Sequence, residues 1–433
     1  MDTVPGTNLS EGPPARGPLR ILRRRADLSA IRSGEIVYLP KRLLTGDGFL
    51  TIHSVIASGA AAIVTDAGGK TDHGTVVAAE LDVSRLLIRA DALALAALER
   101  HEGAEVAVAG DAVHVGGDSL DPSEPIATGG ATQPIATAHS IKVNLSFPQT
   151  LARHPELPDL ADGLGQVRLE LVLLDVLRGQ HPRRYLARHG QTALVEALAT
   201  SLERLVAPFH AQGKEVWLST NDFTPAELVQ FRGGRGERLE SNPALGYRGV
   251  CRSLAEPEVM LLPELLAVNV LVAKGYTRLG LFPPMTRFAE ELVAWKSHVR
   301  RSGLERVKVG LQLETPGVAL TFEDFAPHLD FVTFGSNDLT QFTLAVDRTD
   351  PRLAPFFDER HKAVTLLFER VLAICRQRGI ESSICGQAGS NWQVLEPLFD
   401  RGLSGTSVTP RPATVQSIKR KVAEKERASR LSV

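Results

Sequence analysis

Three kinds of side chain in this sequence stand where chemistry could be done. Glu314 follows the apolar run KVGLQL, and Asn337 and Asp338 follow DFVTF in GSNDL. Two carboxylates at the same end of neighbouring strands would repel each other, and a divalent cation relieves the repulsion. Magnesium suits such a pair, because it takes one or two protein carboxylates and leaves its other positions to water and substrate oxygens. A helix cap for Asp338 and a salt bridge for Glu314 are the ordinary alternatives. Arg168 in GQVRLELV, Arg248 after NPALGY and Arg348 after TQFTLAVD are guanidinium groups of the type that clamps phosphate or carboxylate oxygens. Cys385 in SSICGQAGS has small neighbours that would leave its thiol unobstructed and able to exchange a proton with a bound substrate carbon. Cys375, on LAICRQRG, reads as packing. His73, in GGKTDHGTVVAAELDV (residues 68–83), lies between a glycine-rich approach and a small-residue apolar run. Taken alone, it is an ordinary surface or core histidine.

The elements that must position these groups follow from the pattern of apolar runs. From Ile141 onward eight candidate strands alternate with amphipathic helices: 141–146, 165–170, 215–220, 278–282, 308–313, 330–334, 382–386 and 406–410. This alternation predicts a parallel sheet. Closure into a (β/α)₈ TIM barrel is the economical solution and an open doubly wound sheet the alternative. In a barrel, residues that follow the strands carry the chemistry. Residues 19–117 mix short apolar runs with turn glycines and predict a smaller α/β or β-rich domain. Residues 118–139 lie in a Gly, Pro, Ser and Thr tract and read as a linker, the barrel as 140–418, residues 1–18 as a disordered tail (a transit peptide being the alternative) and 419–433 as a C-terminal tail.

The whole chain has 433 residues, 43% of them hydrophobic, and a formal net charge of −1. Such a balance supplies no field to hold nucleic acid or an anionic membrane. Three cysteines without CxxC spacing support neither a disulfide framework nor a zinc site, which suits a reducing cytoplasm. The N-terminus lacks the apolar core of a secretory signal, and no apolar run is long enough to span a bilayer.

FVTFGSNDLTQFTLAVDR closely resembles the signature of the phosphoenolpyruvate (PEP)-utilising enzymes, and GGKTDHGTVVAAEL resembles their phosphohistidine signature. DGLGQVRLELVL, HPRRYL, NPALGYRGVCR, FFDER and ICGQAGS are most similar to the PEP synthase branch, and the resemblance covers about residues 30–415. It implies an N-terminal swivelling domain whose His73 carries a phosphoryl group to and from the barrel. It implies Mg²⁺ on Glu314 and Asp338, and anion binding by Asn337, Arg168, Arg348 and Arg248. Cys385 would move the proton at the methyl carbon of pyruvate. The reaction implied is phosphoryl transfer between the histidine and pyruvate or PEP in a cytoplasmic homodimer.

Three departures qualify the resemblance. The family's synthases begin with an ATP-grasp domain that has no counterpart in these residues, so a separate ATP-grasp subunit or another phosphoryl donor is expected, as in phenylphosphate synthase. Ser219 stands where the third barrel strand ordinarily ends in an arginine, and Arg287 lies one place from a family arginine. Gly74 follows His73, and Ala79 stands where an arginine is common. These departures leave two alternatives open: a phosphohistidine-dependent kinase of another hydroxyl compound, and a non-catalytic regulatory homologue.

Overall fold

The structure is a computed structural model that describes residues 3–44, 49–69, 73–89, 91–115, 134–350, 352–386 and 388–431. Contacts divide the chain into two units: residues 1–132 with 347–354, and residues 133–346 with 355–433.

The first unit is a closed seven-stranded barrel. Its strands are β1 (Thr3–Asn8), β2 (Ala15–Ile21), β3 (Ile36–Leu39), β4 (Ala62–Thr65), β5 (Ser84–Ile88), β6 (Glu105–Ala109) and β7 (Ala112–Val115), ordered β1-β5-β4-β3-β2-β6-β7. β2 to β5 pair in parallel, joined by helices that include Phe49–Ala57 and His73–Glu80, while β1, β6 and β7 close the sheet antiparallel. Val4, Leu19, Ile36, Val64, Leu86 and Val113 are among the residues that fill its core.

The tail expected over residues 1–18 is therefore corrected: 3–8 and 15–21 are sheet. Leu19 and Ile21 turn inward with Gly17 in a period-two pattern. Pro5, Gly6 and Pro18 obscure that pattern in the sequence, because proline and glycine read as turn signals. Of the expected linker, residues 118–133 lie outside the described residues.

The second unit is a closed parallel barrel of eight strands: β8 (Ser140–Asn144), β9 (Gly163–Arg168), β10 (Glu215–Ser219), β11 (Leu279–Phe282), β12 (Lys308–Leu313), β13 (Phe331–Gly335), β14 (Glu381–Cys385) and β15 (Gly405–Val408). Each runs alongside its neighbour in parallel, and β15 pairs with β8 to close the ring. All eight predicted strands are present. Leu169 and Glu170, read as strand, instead open the helix Leu169–Leu177.

The interior is a packed core. Trp217 and Phe331 stack with centroids 4.0 Å apart, and Phe282 meets Phe331 edge-on. Gly280 and Gly310 make room for them: a Cβ at either position would lie 2.8 or 2.2 Å from the Phe331 ring. At the opposite end from the strand-end loops, Lys142 lies over the Trp217 ring and bridges Glu381 at 3.1 Å. The expected C-terminal tail is also corrected. Helix Pro412–Leu431 runs through residues 419–431, burying Val415, Ile418 and Val422 beneath a charged outer face that conceals its apolar stripe.

Candidate active site

The carboxyl ends of the barrel strands gather the charged groups. Glu314 directly follows β12 and is 2% exposed. Its Oε2 accepts the Met285 backbone N–H at 2.7 Å, and its Oε1 accepts Gln312 Nε2 at 2.9 Å. Gln312 in turn accepts from Gln166 Nε2 on β9 at 3.2 Å. Met285 occupies left-handed backbone space (φ 50°), which is costly for a non-glycine residue; the turn that carries it faces its amide to the carboxylate. On the next strand, Gly335 leaves Glu314 room, since a Cβ there would lie 2.5 Å from Glu314 Cγ.

Helix Ser336–Leu344 starts at that point and buries Asn337 and Asp338 in its first turn. Asn337 Oδ1 is buried and accepts no hydrogen bond among the described residues. Gly386, at φ 82°, clears the space beside it, because a Cβ would come within 3.3 Å of that oxygen.

The counter-charge comes from Arg248, 2% exposed at the start of helix Gly249–Ala255. Its Nε donates to Asp222 Oδ1 at 2.9 Å, its Nη2 donates to Asp222 Oδ2, and its Nη1 lies 3.8 Å from Asp338 Oδ1. Burial opposes its charge, but Asp222 and Asp338 outweigh burial and hold Arg248 well above the usual arginine range. Burial, then the charges of Asp338 and Asp222, pushes the Glu314 carboxyl well above the usual carboxylate range, with Arg248 opposing. Behind this cluster lies Glu264, whose carboxylate oxygens accept the Asn221 N–H at 3.2 and 3.3 Å and so hold the loop that bears Asp222. Asp222, Glu264, Gln312 and the Met285 amide were not picked out by the sequence reading. The only signal was the position of Asp222 three residues past the β10 end.

Cys385 ends β14, as predicted, but its thiol is not unobstructed. It is 1% exposed, and Sγ donates to the Phe334 carbonyl at 3.4 Å. Burial pushes this thiol up to about 11; the Arg168 charge lowers it and that of Glu314 raises it, so both groups are felt at the sulfur. Arg168 ends β9 in register with Ser219 on β10. Ser219 is buried and turns its hydroxyl back to the Val167 carbonyl at 3.4 Å. Arg287 donates to the Gly246 carbonyl at 2.9 Å and pairs with Glu291.

The structure thus brings together Glu314, Asp338, Arg248, Cys385 and Arg168, with Asn337 beside Asp338. Arg348 lies beyond helix Ser336–Leu344, in the segment 347–354 that groups with the first unit. His73 opens helix His73–Glu80, and its side chain lies outside the described residues.

A hard cation needs oxygen ligands. Glu314, Asp338 and Asn337 offer oxygen only, the carboxylates repel each other, and the Asn337 oxygen is unused. This fits a magnesium-type ion held by one or two carboxylates. No cage of three or more His, Cys, Asp or Glu side chains occurs among the described residues, so substrate or water oxygens would have to complete the coordination.

A closed eight-stranded parallel barrel with buried carboxylates, an amide and arginines gathered at its strand ends is a barrel of the enzyme type. The sequence profile of the PEP-utilising enzyme, PEP-binding domain family matches residues 127–427, and the chain belongs to that family. Among similar proteins, a probable phosphoenolpyruvate synthase of Archaeoglobus fulgidus is 34% identical over 416 residues, covering 95% of this chain and 53% of the relative. The phosphoenolpyruvate synthase of Pyrococcus furiosus is 37% identical over 381 residues, covering 85% of this chain and 45% of the relative. The chain spans about half the length of these relatives. No helix among the described residues is long and apolar enough to cross a membrane.

Proposed function

We propose that this protein is a phosphotransferase that moves a phosphoryl group between His73 and pyruvate or PEP in the barrel site. The observation that carries this reading is the buried Glu314, Asp338 and Asp222 cluster, set beside a protonated thiol and the strand-end Arg168. Glu314 and Asp338 would hold Mg²⁺, which would supply positive charge beside the phosphoryl and enolate oxygens.

The protein groups have distinct tasks. Arg168 and Asn337 orient the anionic substrate by charge and hydrogen bonding. Arg248, occupied by Asp222, fixes the position of Asp338 rather than seizing substrate. In the pyruvate-forming direction the P–O bond of PEP breaks, an N–P bond forms on the His73 imidazole, and the enolate of pyruvate remains. Cys385 then gives its S–H proton to the methylene carbon, and the thiolate is reprotonated from solvent. A thiol pushed up to about 11 is fully protonated at neutral pH, as a proton donor must be. The reading names a separate ATP-grasp subunit or another phosphoryl donor as the source of phosphate on His73 in the reverse direction.

Ser219 favours a second reading, in which another hydroxyl compound accepts the phosphate. Its short side chain leaves a cation out of the strand-end ring, and its hydroxyl points at protein rather than at a ligand. Incubation with magnesium and phosphorus-labelled PEP tests both. Label on His73 with release of pyruvate, both lost in His73→Ala, supports the first reading. Turnover of a hydroxyl acceptor that survives Cys385→Ala, without pyruvate release, supports the second.

A further inference from the structure

Arg85 lies on β5 in the first unit and is fully buried, a rare place for a guanidinium. Its backbone is anchored: its N–H donates to Ser10 Oγ at 2.8 Å, and that hydroxyl donates to the Val83 carbonyl at 2.8 Å. The side chain then reaches in two directions. Nη2 donates to the Ala67 carbonyl at 2.9 Å, and Nη1 donates to Thr75 Oγ1 at 2.7 Å. Thr75 Oγ1 in turn donates a hydrogen bond to the Gly69 carbonyl at 2.8 Å. The Ala67 carbonyl also accepts from Thr65 Oγ1 at 3.1 Å.

These contacts bracket His73. Ala67 and Gly69 lie on the chain's approach to it, and Thr75 lies two residues after it in the first turn of helix His73–Glu80. One planar fork therefore ties residues on either side of His73 to strand β5. A lysine could supply the charge but not the two-pronged geometry.

We infer that Arg85 is a positioning residue for phosphoryl transfer at His73, acting through Thr75 and the Ala67 carbonyl. The inference rests on the reading of His73 as the phosphohistidine. Transfer between an imidazole nitrogen and a phosphoryl group depends on alignment, and small misplacement of a reacting group costs large factors in rate. The Arg85–Thr75–Gly69 chain supplies that alignment by fixing the backbone before and after His73, without touching the substrate.

The test uses the full chain with magnesium and phosphorus-labelled PEP, and follows the single-turnover rate of His73 labelling. Thr75→Val removes the hydroxyl at nearly constant volume, and Thr75→Ser restores it. Loss of a hydrogen bond to a charged group predicts a rate about tenfold or more lower in Thr75→Val, with half-saturation by PEP unchanged. Thr75→Ser is expected to label at close to the wild-type rate, and Arg85→Lys to stay slow although charged. Thr75→Val and Arg85→Lys labelling as fast as wild type would overturn the assignment of Arg85 alone. No label on wild-type His73 would overturn the phosphohistidine reading and this inference with it. Because Thr75→Val tests the same link, the outcome does not depend on whether an Arg85 variant folds.

Discussion

Replacing Asp222 with Ala should destabilise the barrel by about 3 kcal/mol, the lower end of what breaking a buried ion pair costs. Arg248 is 2% exposed and commits Nε and Nη2 to Asp222, so the substitution leaves a buried guanidinium without its bidentate partner. The lower end is expected because Nη1 keeps its 3.8 Å approach to Asp338. The companion variant replaces the whole pair, Asp222→Leu with Arg248→Met. Removing both charges together is often neutral or stabilising, so this double variant should lie within about 1 kcal/mol of wild type. Urea unfolding followed by tryptophan fluorescence is well suited to the measurement. All three tryptophans, Trp217, Trp295 and Trp392, belong to the barrel unit, so the signal excludes the first unit. Midpoints are compared at constant m. The double variant should also lose His73 labelling, because Asp338 loses the group that fixes it. A cost below about 1 kcal/mol for the single variant would place the pair with exposed surface bridges and refute the reasoning. A double variant as unstable as Asp222→Ala would refute it as well.

Three further outcomes are expected. Gly335→Ala puts a methyl 2.5 Å from Glu314 Cγ, while Glu314 Oε2 is held by the Met285 amide. It should cost about 1–3 kcal/mol by overpacking and slow His73 labelling markedly, with unchanged labelling counting against Glu314 as a required group. The thiol of Cys385, pushed up to about 11, should resist iodoacetamide at pH 8 in the folded chain, with alkylation on the order of a hundredfold slower than in urea when read by peptide mass. Glu237 is drawn down from an ordinary 4.5 to about 2: burial raises it, but hydrogen bonds from His181 and Arg252 and the Arg252 charge outweigh burial. Its folded value is depressed, so its stabilisation is present above about pH 4.5 and lost as pH falls towards 2. A shift of that size corresponds to about 3 kcal/mol at most, and Glu237→Gln should remove it at pH 7 yet have little effect at pH 2.

The barrel was legible because each strand is a short apolar run buried on both faces, bounded by helices of different period. Glu314 was legible because it directly follows its apolar run, Asp338 because it lies three residues past β13, and Arg168 and Cys385 because they close β9 and β14. Asp222 and Glu264 were not, since their importance lies in pairing across loops 26 and 43 residues apart in sequence. Arg85 sits inside an apolar strand and looks like a surface alternation of β5 until the fold buries it. Arg348 follows the same motif, and sequence alone does not tell that its segment, 347–354, groups with the first unit. The burial of Cys385 likewise depends on Phe334 from the neighbouring strand.

The same strand-end reading explains why Ser219 matters more than its size suggests. Asp222, Glu314 and Asp338 bring three carboxylates to the strand ends, against the guanidinium groups of Arg248 and Arg168. With an arginine at position 219 the charges would balance before any ligand entered. With Ser219 they leave an excess of one negative charge, and burial makes that excess costly. The chain has two ways to relieve it: protonation of Glu314, the direction in which its surroundings push it, or a divalent cation that leaves the site positive for an anionic substrate. Ser219→Arg supplies the missing charge covalently. It should therefore weaken magnesium binding by like-charge repulsion while strengthening retention of PEP, and calorimetric titration of each ligand into the variant would detect the opposed changes. Parallel changes in both affinities would show that position 219 lies outside the electrostatic reach of the site.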